Sequence, residues 1–429
     1  MYVFLIIFVC ILGIILEKKF NKRFGLLALF CMIWIFIVFL SSLELYEMYE
    51  VSNKIYFELL LGIFSFIVGY ILIGYGYIKK REYEIEEKKY KYEFNIKIIY
   101  ILELIGLVCG TVLIFKFIKY MNLGYSLEQI RNIYYNRMKI NMFESALTEF
   151  MIKKICGAIC LALIPIVLIM LFENNKKYRI SIFGGLLVIL LNQFAIGGRI
   201  QLLIIAVSVI LCLSIYKSKI SKKLIKRILK IAFAAVLMIL FITILRKRIL
   251  ENGKWHLLFE NIYKYFTLAI PLSDHWLKWL DTNNTLTYGV GFISGILELF
   301  APIAYKLFGS YPPADIIANV FHPIETNYIE VYKNAYCNAY VTWIFALYAD
   351  FREFGVVIGS IFFGAICGKL SNKVHNNASI YSLTLYILLA QSIIKSFVRW
   401  EFSVFAYILS FIILKICISK KNTNNTITN

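Results

Sequence analysis

Apolar residues in this chain come in long blocks separated by short polar breaks, with none of the strict alternation that marks strands. Many blocks approach the roughly 20 residues that a helix needs to cross a bilayer core about 30 Å thick. The pattern predicts membrane-spanning helices over 1–16, 24–42, 55–78, 97–117, 151–172, 180–196, 200–216, 228–245, 354–370, 379–396 and 403–418. The fold class expected is therefore all-α and polytopic, with about eleven transmembrane helices. Met1–Leu16 lacks a basic leading stretch and a small-residue cleavage site, so it is expected to be the first span and not a signal peptide.

The polar breaks sort by charge. One set is basic: Lys18, Lys19, Lys22 and Arg23; Lys79 to Lys91; Lys176, Lys177 and Arg179; Lys217 to Arg227; Lys369 and Lys373; Lys420 and Lys421. These are placed in the cytoplasm by the positive-inside rule. Alternate breaks are then outside, the first being "SSLELYEMYEVSN", which carries Glu44, Glu47 and Glu50 and no Lys or Arg. The N-terminus is expected outside and the C-terminus in the cytoplasm.

Two outer segments are long, 118–150 and 246–340. They divide the chain into N-terminal transmembrane helices over 1–245, a large extracytoplasmic loop over 246–340, C-terminal transmembrane helices over 341–418 and a cytoplasmic tail over 419–429. In the large loop Trp255, Leu258, Phe259, Ile262, Tyr263 and Phe266 recur at helical spacing, which predicts an amphipathic helix on the bilayer surface with Trp276 and Trp279 near the headgroups. The stretch 289–309 is interrupted by Glu298, Pro302 and Lys306 and is read as interfacial or re-entrant. If it crosses instead, 335–350 could supply the compensating passage.

Composition agrees. Of 429 residues 60% are hydrophobic and 17% charged, against about a quarter charged in a soluble domain. The formal charge of +20 would suggest nucleic acid, but the basic residues lie in membrane loops and no stacking module accompanies them, so no nucleic-acid partner is expected. Eight of nine cysteines fall inside apolar runs, Cys337 being the exception. Neither a disulfide framework nor a metal site is expected, and no cofactor. The abundance of Lys, Asn, Ile and Tyr points to an AT-rich bacterial genome.

One arginine breaks the pattern. Ile180–Tyr216 would be about 55 Å long as a single helix, too long for one crossing. Both its ends abut basic loops, so the run goes out and back, with Gly197, Gly198 and Arg199 at the outer tip. A guanidinium there can anchor to lipid headgroups or hold phosphate oxygens with its planar fork. The outer face, otherwise poor in basic residues, also receives Arg131, Arg137, Arg246, Arg248 and Arg399. Together they predict an anion site for a membrane-anchored phosphate or diphosphate, although Arg246 and Arg248 suit headgroup anchoring equally and Arg399 could pair with Glu401.

With these residues in view, the chain resembles the O-antigen polymerase (Wzy-type) family of oligosaccharide repeat unit polymerases. The resemblance rests on the "GGR" tip, on the large outer loop, and on "NAYVTWIFALYADF" followed by "FGVVIGSIFFGAICG", where Asn338, Thr342, Asp350, Phe351 and Gly355 match. "REF" separates Asp350–Phe351 from Gly355, a departure from the family's tighter Asp-Phe-Gly. The resemblance implies a GT-C-like glycosyltransferase in the bacterial cytoplasmic membrane. It would extend a glycan on undecaprenyl diphosphate by one lipid-linked repeat unit, alongside a chain-length regulator and a flippase. Arginines would stabilise the diphosphate leaving group without metal. His322 is the first candidate for general base, followed by Glu325 and Asp350. Aromatic residues of the loop, notably Trp276, Trp279 and Tyr328, suit stacking on sugars or an interfacial belt. A glycan ligase of similar architecture and a lipid-linked oligosaccharide flippase are the alternatives; the flippase would place charges within its spans.

Overall fold

The computed structural model describes residues 1–21, 24–75, 90–138, 140–196, 200–216, 226, 230, 233, 237, 256–376 and 378–422. The fold is all-α, with two short two-stranded ribbons. Among the described residues six helices are long and apolar enough to cross a membrane: Asn53–Leu72, Ile96–Asn122, Ala146–Glu173, Lys176–Ala195, Val290–Phe308 and Trp343–Asn376. Shorter apolar helices cover Leu26–Ser41, Ile200–Tyr216, Ile380–Lys395 and Phe405–Cys417. The chain is a multi-pass membrane protein. Large apolar side chains such as Phe39, Phe64, Phe115 and Phe183 are exposed on these helices, as lipid contact requires. The span expected over 228–245 lies outside the described residues, apart from Lys230, Phe233 and Leu237, which are helical.

Two compact units emerge, each discontinuous in sequence. The first combines Met1–Lys79, Phe259–Asn376 and Ser392–Phe405; the second combines Lys80–Leu258, Asn377–Gln391 and Ala406–Asn429.

The first unit is built on an aromatic core. Phe30 stacks on Phe66 with ring centroids 4.0 Å apart, Trp34 meets Trp343 at 4.8 Å, and Phe66 meets Phe363 at 5.1 Å. The indole N–H groups are satisfied inside the core: Trp34 donates to Ser396 Oγ at 3.1 Å and Trp343 to Ser360 Oγ at 3.3 Å. The stretch Trp343–Asn376 is not one rod. Phe351 (φ −146°, ψ 31°) and Arg352 (φ 54°, ψ −138°) leave helical geometry. Beyond the break the chain folds back, because a Cβ on Gly355 would strike the Leu347 carbonyl and one on Gly359 the Leu347 side chain. In a continuous helix those residues would be about 12 and 18 Å from Leu347. The result is a helical hairpin with an eight-residue arm, Trp343–Asp350, buried along its whole length. Small residues form the packing seam. Gly364 lets the long arm touch the Phe66 carbonyl, and Gly69 lets the neighbouring helix touch Ile361.

The same unit joins two polar connections. Residues 42–52 pack on the segment 263–333: Tyr49 N–H donates to Val331 O (3.1 Å), Lys333 N–H to Glu47 O (3.1 Å), and Leu45 N–H to Tyr263 Oη (3.0 Å). Asp274 accepts from the Ser52 backbone at 3.1 Å and from its hydroxyl. Val290–Phe308 is one 19-residue helix of crossing length and composition, its Pro302 tolerated inside it. The chain on either side of it, at Tyr263 and at Val331–Lys333, meets the same connection 42–52. The expected amphipathic helix runs from His256 to Thr267, with Tyr263 buried and Phe259 exposed. Trp276 is also buried, so it is not presented to headgroups.

In the second unit Ile96–Asn122 lies against Arg179–Ile196, with Gly106 facing Val188 and Gly110 facing Leu191. The most enclosed helix, Ala146–Glu173, contains Pro165. Proline has no N–H to offer the carbonyl four residues back. That carbonyl, of Leu161, instead accepts from Gln391 Nε2 at 3.0 Å. Tyr90–Phe94 pairs antiparallel with Ile418–Asn422, joining two of the basic segments.

Candidate functional site

Arg131 and Arg137 come together in the second unit. A capping box opens the short helix Leu127–Tyr134: Gln129 N–H donates to Ser126 Oγ at 3.3 Å and Ser126 N–H to Gln129 Oε1 at 2.8 Å. At the far end Asn136 takes a left-handed conformation (φ 56°), and Arg137 N–H returns to Asn132 O at 2.8 Å. This turn carries Arg137 back over the helix end. The two guanidinium carbons lie 5.5 Å (Arg131) and 5.2 Å (Arg137) from the centre of the Tyr135 ring. Arg137 Nε is buried without a hydrogen-bond partner among the described residues. Just beside them Glu149 is taken by Lys153 (2.6 Å) and Asn136 (2.8 Å), which leaves it committed elsewhere. The site is thus an exposed phenol ring flanked by two forks. Arg199, Arg246 and Arg248, with Gly197 and Gly198, lie outside the described residues.

The other sequence candidates belong to the first unit. Arg399 does not pair with Glu401; its Nη1 meets Glu325 Oε1 at 3.1 Å, while buried Glu401 takes Lys395 at 2.8 Å. Glu325 sits on the short helix His322–Thr326, which starts with exposed His322. That helix is tied to the stretch that leads to Thr342: Asn338 Nδ2 donates to Glu325 O (2.6 Å) and Ala339 N–H to Ile324 O (2.8 Å). Thr342 N–H is held by Ser273 Oγ at 2.9 Å. Asp350 is closed off. Its carboxylate accepts from the Thr287 hydroxyl and from the backbone N–H groups of Gly289 (2.9 Å), Gly291 (2.8 Å) and Phe292 (2.7 Å). It therefore caps the start of Val290–Phe308, where free N–H groups and the helix dipole favour an anion. Trp276 and Trp279 meet edge to face at 5.7 Å, whereas Tyr328 is exposed. Burial also holds the neighbouring His275 below the ordinary imidazole range.

A charged cluster that sequence reasoning missed surrounds the hairpin tip. Asp281 accepts from Lys54 Nζ at 2.5 Å and from Tyr348 Oη at 2.8 Å, with Arg352 Nε at 3.7 Å. Lys54 and Arg352 both lie over the Tyr348 ring, at 4.9 and 5.2 Å. Arg352 Nη2 donates to Leu280 O at 3.1 Å. Glu58 is wholly buried, and neither of its carboxyl oxygens has a hydrogen-bond partner among the described residues. In the second unit Glu103 is buried as well, against Gly184 and Gly185, with Oε1 unpartnered. The signal available for these groups was position alone: a carboxylate a turn or two inside an apolar run is costly, which marks it for a role. Among the described residues no three His, Cys, Asp or Glu side chains converge as metal ligands. No family model, no curated protein and no solved structure matches the chain.

Proposed function

We propose that this chain is a membrane glycosyltransferase that polymerises glycan repeat units carried on undecaprenyl diphosphate, at the extracytoplasmic face of the bacterial cytoplasmic membrane. The observation that carries the reading is the meeting of Arg131 and Arg137 at Tyr135, with a buried donor of Arg137 unspent. In the reaction a hydroxyl of the incoming unit attacks the anomeric carbon of the carrier-bound glycan. The bond to the diphosphate oxygen breaks, and negative charge gathers on that oxygen. Guanidinium hydrogen bonds to it are worth about 1.5–3 kcal/mol each, and they act without reorganisation when the groups are already in place. Arg199 is proposed to add a third fork. Of the proposed bases, His322 and Glu325 are exposed, whereas Asp350 is occupied by its donors.

Sidedness is supported by packing. The acidic connection 42–52 and the segment 263–333, both assigned outside, hydrogen-bond to each other. The basic segments at 90–94 and 418–422, both assigned to the cytoplasm, pair as strands.

The test is glycan laddering in a strain lacking the chain. Complementation with Arg137→Ala should leave single-repeat products, and Arg137→Lys should restore little if the planar fork matters. Normal ladders with Arg137→Ala would defeat the assignment. A flippase is the second reading, favoured by Glu58 and Glu103, two buried carboxyl groups inside crossing helices. That reading expects the deletion strain to accumulate lipid-linked units at the cytoplasmic face.

A further inference from the structure

Glu58 and Lys54 lie one turn apart on the helix Asn53–Leu72, within reach of one another as an i,i+4 pair. Yet Lys54 turns to Asp281, at 2.5 Å, and Glu58 is left buried with both oxygens unpartnered. Two carboxyl groups therefore compete for one ammonium. The charges acting on Glu58 come from three elements: Lys54 on its own helix, Asp281 at the end of Ala269–Thr282, and Glu353 just past the hairpin tip. Tyr348 and Arg352 complete the surroundings of Asp281 on the hairpin side. The helix Tyr2–Asn21 brings Tyr2, edge-on to Phe57. A carboxylate stripped of water and given no donor does not keep its charge. Glu58 can be uncharged here only by carrying a proton, and the exposed Glu353 stands just past the hairpin tip.

We propose that Glu58 is a proton-exchange site, in which its proton passes to water while Lys54 moves from Asp281 to the Glu58 carboxylate so formed. The balance is simple: one proton leaves the cluster, and the ammonium keeps its charge while changing partner. Asp281, released by Lys54, keeps the Tyr348 hydroxyl and draws in Arg352, whose Nε stands at 3.7 Å and whose Nη1 is buried and unpartnered. Arg352 holds the left-handed position at the hairpin tip (φ 54°), so the exchange reaches the backbone break. The inference does not depend on which reaction the protein performs.

Infrared spectra of the purified full-length protein test it. Subtracting the Glu58→Gln spectrum from that of the unaltered protein at neutral pH should reveal a protonated-carboxyl C=O band, lost at alkaline pH. Asp281→Asn removes the competitor, so Lys54 settles on Glu58, and the band should lose roughly half its strength or more at neutral pH, an opposite charge at that range favouring the ionised form. Lys54→Gln should keep the band at alkaline pH. A difference spectrum without the band, or a band that Asp281→Asn leaves at full strength, overturns the proposal. If Glu58→Gln yields no folded protein, the Asp281→Asn and Lys54→Gln spectra decide on the native Glu58.

Discussion

Asp350 and Glu325 are both acidic and both candidates by their place in the sequence, but their surroundings separate them. Asp350 is 2% exposed and receives one hydroxyl and three backbone donors. Glu325 is half exposed and shares one contact with an exposed arginine. Asp350→Ala strands buried donors, and should cost about 3 kcal/mol or more, charged hydrogen bonds being worth about 1.5–3 each. Glu325→Ala should cost under about 1 kcal/mol, as exposed ion pairs do. Thermal unfolding in detergent, run on both variants, would show a large fall in Tm for the first and little for the second. The Leu161 carbonyl gives a second residue-scale expectation. Gln391→Ala orphans it at about 1–3 kcal/mol, and Pro165→Ala, which returns an N–H to the helix, should recover most of that loss in the double variant. Equal losses with and without the proline would refute the compensation. None of these donors could be read from the sequence. The groups that satisfy Asp350 lie about sixty residues upstream, and the one that satisfies Leu161 lies 230 residues downstream.

Span positions were legible at the level of elements because run length decides them, and Ile96–Asn122 or Ile200–Tyr216 differ little from expectation. The hairpin was not legible. Its break falls beside an apolar run, at Phe351 and Arg352, with no Gly or Pro at either position to announce it. Arg352 is fixed there by Leu280 and Asp281, which belong to another helix. Glu298 and Lys306 look like interruptions in a linear reading, but a helix can carry such residues at its less enclosed end while Gly291, Ser294 and Gly295 bury the other. The glycines of the long arm do the opposite of providing flexibility: they remove bulk where backbones touch. Gly364→Leu should therefore force the long arm off the Phe66 carbonyl, by more than the 1–3 kcal/mol typical of overpacking. Gly157→Leu, where an added Cβ would meet nothing nearer than Ala406 Cβ at 3.7 Å, should be milder. Comparable yields and Tm values for the two would argue against the seam.

For the molecule as a whole, the two loop pairings tie four polar segments into two sets. Each set must lie on a single side of the bilayer. Cysteine introduced at Glu47 and at Lys333, in a background with Cys337 replaced by Ser, should react together with a membrane-impermeant maleimide in intact cells. Cysteine at Lys420 should react only after permeabilisation. Labelling of Glu47 and Lys333 from opposite sides would contradict the packing itself. The arginine grouping shows how much of a site a sequence can disclose. The six-residue spacing of Arg131 and Arg137 is visible in the string of letters, but that both meet Tyr135 depends on the left-handed turn at Asn136.

The aromatic core of the first unit also sets a timetable. Phe30, Trp34 and Phe66 leave the ribosome early, whereas Trp343 and Phe363 follow some three hundred residues later. At about 5–20 residues per second that is a delay on the order of 15–60 s. During it the first three helices stand in the membrane with their indole and phenyl faces uncovered. A nascent chain halted before Trp343 should therefore be a good client for whatever insertion machinery shelters unfinished helices, and a full-length one should not.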